Sequence, residues 1–132
     1  MKITNKKEIQ ESIEKFPEIP GKDISLVYFN DFYDGVIDGL CTWKGKEYYF
    51  CWDDTLTMDL EGRVFALIDL TPEQLIEDKR MHKLLVTKVG YPIADKDEKS
   101  QNDYYQEYEK TPKTAVQPKQ IIGWFKFQNK PF

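Results

Sequence analysis

Histidine is almost missing from this sequence: His82 is the only one in 132 residues. Cysteine is nearly as rare, with Cys41 and Cys51 alone. Two thiols in a chain long enough to build its own core do not make a disulfide framework. No C-x-x-C pair occurs, and Cys41, Cys51 and His82 supply three ligands where a structural zinc site takes four. The expectation is therefore no metal and no cofactor, with both cysteines as small buried apolar residues in a reducing cytoplasm. A long apolar run is also lacking, and the mean hydropathy is -0.65, which excludes a membrane-spanning helix. The opening Met1-Lys2-Ile3-Thr4-Asn5 has no apolar stretch of the signal-peptide kind. No G-x-G-x-x-G, P-loop, G-x-S-x-G, H-E-x-x-H or calcium-loop pattern is present.

What the chain does have is rings. Aromatics make up 14% of it, as 3 Trp, 8 Tyr and 8 Phe, within a hydrophobic fraction of 40%. That composition builds a core and argues against disorder. The length fits a single domain spanning 1–132.

Charge is unevenly spread. The net charge is -4. Residues 1–30 are neutral, with five Lys against five acids. Residues 31–78 hold twelve acids against Lys44, Lys46 and Arg63, a net -9. Residues 79–132 hold eleven bases against six acids, a net +5. An acidic balance is the wrong sign for nucleic acid. It can steer a basic partner. The plainer reading is that the acidic middle faces the basic tail within one fold.

Turn residues and hydrophobic periodicity divide the chain into elements. Asn5 and Glu8 resemble a capping box, and Ile9, Ile13 and Phe16 form one stripe, so a helix is expected near 5–16. Three strands follow as a meander over 24–52: residues 24–30, 36–43 and 47–52, separated by Asp34-Gly35 and Lys44-Gly45-Lys46. The sequence leaves the hairpin register open; a three-residue loop 43–45 ending in a left-handed Gly45 would set Val36, Leu40, Tyr48, Phe50 and Trp52 on one face. Ile37, Cys41, Tyr49 and Cys51 would take the other. Both faces are apolar, so cover on both sides is expected. Gly39, inside a strand, signals a bulge or a close approach of another group.

A fourth strand is expected over 63–70. Thr71-Pro72-Glu73-Gln74 then combines an N-cap, a first-turn proline and a capping partner, opening a helix over 72–88. Leu75, Leu84, Leu85 and Val89 supply its apolar side. Residues 91–101 read as a polar loop. The tyrosines of 102–110 fit a short helix with Tyr104, Tyr105 and Tyr108 on one side. The C-terminal strand is expected over 120–127. The fold class is α+β, with an antiparallel sheet of about five strands.

Candidate chemistry is sparse. Cys41 and Cys51 fall inside strands, away from any base that would activate them. His82 lies in the cationic half of a helix. Asp31, Asp34, Asp38, Asp53, Asp54 and Asp59 fall near strand ends and turns, where Asp commonly serves turn geometry. Asp34 and Asp54 are expected at opposite ends of the meander. The rings of the meander and last strand outnumber what one small core absorbs, and surplus rings anchor interfaces.

Phe32-Tyr33-Asp34-Gly35, Gly39 and Trp43-Lys44-Gly45-Lys46-Glu47-Tyr48-Tyr49-Phe50 together resemble a group of uncharacterised small bacterial proteins. Leu70-Thr71-Pro72-Glu73-Gln74-Leu75 and the closing Gly123-Trp124-Phe125 are similar as well. The likeness covers most of residues 28–127 and is structural in kind. It implies no assigned activity and no catalytic residues.

The leading expectation is a binding protein of the inhibitor or immunity type, without catalysis of its own. It would present an acidic, aromatic face to a basic protein partner. Asp34, Asp38, Trp43, Trp52, Asp53 and Asp54 are the candidate binding residues. One alternative is a metal-dependent hydrolase using the meander carboxylates with His82. Another is a structural protein whose doubly apolar sheet is covered by its own copy, as in a homodimer.

Overall fold

Short apolar runs closed by turn residues become strands here, and the capped amphipathic runs become helices. The computed structural model describes residues 2–5, 7–9, 15–32, 36–52, 63–88, 98–111 and 113–127. Its strands are β1 (Lys2–Ile3), β2 (Ser25–Phe32), β3 (Val36–Trp43), β4 (Lys46–Trp52), β5 (Phe65–Ile68), β6 (Lys113–Thr114) and β7 (Ile121–Phe125). Its long helices are α1 (Pro72–Lys88) and α2 (Glu98–Lys110). The class is α+β. The chain forms two compact units, Asn5–Leu70 with Val116–Phe132, and Met1–Thr4 with Thr71–Ala115.

The first unit is a five-stranded antiparallel sheet in the order β2-β3-β4-β5-β7. Its central hairpin, whose register the sequence leaves open, does not take the three-residue loop. Lys44 and Gly45 both take positive φ, 51° and 75°, and Trp43 pairs directly with Lys46. That is a two-residue turn with the twist a tight hairpin favours. The shorter loop moves the register. Cys41 now lies opposite Tyr48 and Gly39 opposite Phe50, while Leu40 lies opposite Tyr49. Leu40 therefore shares a face with Tyr49 and Cys51, not with Phe50 and Trp52. Because side chains alternate, the loop length alone decided which set went to which face.

Both faces of this sheet carry buried apolar side chains. On one, Phe50, Phe65 and Phe125 pack with Phe127 at centroid distances of 5.0–6.0 Å, mostly edge to face. Ile19, Ile24, Phe29, Val36, Cys41, Tyr48 and Leu67 complete that cluster. On the other, Leu40, Tyr49, Cys51, Ala66 and Ile68 are buried too. Gly39 makes the close approach expected of it. A Cβ there would stand 2.1 Å from the Tyr28 carbonyl oxygen and 2.7 Å from Phe29 Cα. The register also shifts on either side of this contact, between Leu26 and Tyr28 and between Phe29 and Asp31.

The edge of β7 is covered from within the unit. Ile19 N–H donates to Trp124 O at 2.7 Å, and Trp124 N–H donates to Pro17 O at 3.0 Å. Gln120 is buried and ties β5 to β7: its Nε2 donates to Asp69 O at 2.9 Å, and its own carbonyl accepts from Asp69 N–H at 2.7 Å. Of the expected first helix, residues 7–9 are helical and Ile9 is buried; residues 10–14 lie outside the described residues. Asn5 departs from the capping reading. Its Oδ1 has no hydrogen-bond partner among the described residues, and its Nδ2 donates to Val116 O.

The second unit holds α1, α2 and the parallel pair β1–β6. The start of α1 follows the sequence closely. Gln74 N–H donates to Thr71 Oγ1 at 3.2 Å, and Thr71 N–H donates to Gln74 Oε1 at 2.9 Å, which closes the capping box. Met81, Leu85 and Tyr104 are its buried cluster, with Leu84 and Tyr108 packed against them. Helix α2 begins at Glu98, so 98–101 belong to it and not to a loop. Tyr105 departs from the expected tyrosine stripe: it is 48% exposed, whereas Tyr104 is 7% exposed. Neighbouring helix residues point 100° apart, so only the i and i+4 tyrosines share a side.

Candidate functional site

Three of the six candidate residues fall within the described residues: Asp38, Trp43 and Trp52. Alternation and register separate them. Trp43 closes β3 beside the Lys44-Gly45 turn. Asp38 pairs with Cys51, the residue before Trp52, at the far end of the same hairpin. Asp38 and Trp52 thus share an end of the sheet, though they point to opposite faces.

At the Trp52 end the chain leaves β4 and returns at Arg63, just before β5. Arg63 is 4% exposed, and its guanidinium carbon sits 3.9 Å from the Trp52 ring centroid. Its Nη1 donates to Val36 O at 3.0 Å. One buried cation therefore ties the start of β3 to the approach to β5 and stacks on the last ring of β4. A desolvated contact of this kind is worth about 2 kcal/mol. Asp38 is half-buried nearby and accepts from Tyr49 Oη at 2.6 Å.

Sequence reading missed Arg63, which it counted only as a base and the first residue of a strand. The signal was there: it is one of three bases in a block of twelve acids, at the head of an apolar run.

The hairpin end has the opposite dressing. Lys44 Nζ lies 4.5 Å from the Trp43 ring, and Lys46 Nζ lies 5.3 Å from the Tyr48 ring. Lys46 also pairs with Asp69 at 3.0 Å, and that hydrogen-bonded carboxylate holds the ammonium above its ordinary pKa. Trp43 and Tyr48 are neighbours, with centroids 5.9 Å apart.

Asp34, Asp53 and Asp54 lie outside the described residues. The strand ends that carry them are described. The chain enters β3 and leaves β4 at one end of the sheet, because Asp38 and Cys51 are partners there. The expectation that Asp34 and Asp54 sit at opposite ends of the meander falls on residues outside the described ones. A turn after the first strand and an exit after the third must fall on the same side of an antiparallel meander.

In the helical unit one acid is held by a neighbouring base and another is buried. Arg80 holds Glu77 with two hydrogen bonds, Nε to Oε2 at 3.2 Å and Nη2 to Oε1 at 2.7 Å, and this keeps the carboxyl below its usual range. Asp78 is fully buried one turn before His82. Burial of the His82 imidazole pulls its pKa below the ordinary histidine value, and Asp78 opposes that shift.

Cys41 and Cys51 are both buried, and neither forms a disulfide. Burial pushes the Cys41 thiol up to about 12, so it is not a thiolate near neutral pH. Among the described residues no group of three or more His, Cys, Asp and Glu side chains gathers as a metal site. No helix among them is long and apolar enough to cross a membrane. Comparisons with protein-family models, with curated proteins and with solved structures give no match for this chain.

Proposed function

We propose that this chain is a small binding protein of the inhibitor or immunity type, acting in the cytoplasm on a basic protein partner. The face offered is the end of the sheet where β3 begins and β4 ends. Asp34, Asp38, Trp52, Asp53 and Asp54 contribute to it. Trp43, at the hairpin end, stands apart.

The observation that carries this reading is the common strand end. Asp31 of β2 pairs with Asp38 of β3 there, and Asp38 pairs on its other side with Cys51, the residue before Trp52. Acidic charge concentrated at one place accelerates encounter with a basic surface and disfavours acidic competitors. A half-buried ring at the same end offers an anchor of the kind that dominates interface energies.

The test is capture of partners from host lysate at low and high salt, followed by mass spectrometry. The expected result is a basic protein that is retained at low salt and lost at high salt. Recovery of acidic partners alone, or binding indifferent to salt, overturns the proposal.

A further inference from the structure

We draw no further inference here: the strongest candidate, the outer edge of the sheet along β2 with Val27 exposed, is a patch for which nothing in the structure shows what covers it.

Discussion

The two units hold themselves together by different means. The sheet unit locks through rings: Phe50 alone meets Phe65, Phe125 and Phe127 at 5.3, 6.0 and 5.4 Å. It is also tight at the backbone, where only a glycine fits between β3 and β2. Among the described residues the helical unit has a smaller buried cluster, Met81, Leu85 and Tyr104, and leans on local devices. These are a closed capping box on α1, an Arg80–Glu77 pair, and hydroxyl and guanidinium contacts to the Met81 sulfur, each at 3.3 Å. Packing of many rings is cooperative, so the sheet has little tolerance for change. Caps and surface pairs act one at a time, each worth about 1 kcal/mol or less.

That contrast can be broken or sharpened by substitution. Gly39→Ala has the largest expected effect, a loss of more than about 4 kcal/mol in urea unfolding, because backbone atoms must move to admit the methyl. Gly45→Ala is its control. Open space surrounds that position, and only the positive φ is disfavoured, so about 1 kcal/mol is expected.

Phe50→Ala comes next, near the upper end of about 3–5 kcal/mol, since it removes three ring contacts as well as volume. Leu85→Ala in the helical unit should fall toward the lower end of about 2–5 kcal/mol. Equal losses at the two sites would dissolve the distinction between the cores. Thr71→Ala, which deletes the Oγ1 that caps α1, should cost about 1 kcal/mol.

The smallest effect belongs to pH. The folded state lowers the His82 pKa, so the unfolded chain binds that proton more readily. The His82 contribution is therefore unfavourable to folding at acid pH. It fades as pH rises past the ordinary histidine range near 6.5. The melting temperature of the wild type should drop between pH 7.5 and pH 5.5, and His82→Gln should drop less. A parallel fall in both would remove His82 as a source of pH sensitivity.

Local signals in the sequence were good guides. Thr71, Pro72 and Gln74 marked the start of α1 because a capping box is satisfied within four residues. Gly39 announced a close approach because a bare Cα in an aromatic strand has few other uses. The limits of β3 matched the reading, Val36 to Trp43. What stayed open turned on a single residue of loop length. Lys44 and Gly45 both take positive φ, and the two-residue turn puts Leu40 on the face away from Phe50. Arg63 was missed because its burial depends on Trp52 and Val36, which only the folded register brings to it. At the candidate site, residue types were legible but their grouping was not. The end shared by Asp38 and Trp52, and the removal of Trp43 to the other end, follow from strand pairing.

The central claim is that binding resides at the acidic end of the sheet and not at its hairpin end. The direct measurement is calorimetric titration of the captured basic partner against Asp34→Asn/Asp53→Asn/Asp54→Asn and against Trp43→Ala, each first checked for wild-type circular dichroism. The acidic-end variant should bind at least about tenfold more weakly, a loss of about 1.4 kcal/mol, with a shallower salt dependence, and Trp43→Ala should bind as the wild type does. Unchanged affinity in the acidic-end variant, or a loss confined to Trp43→Ala, would contradict the account.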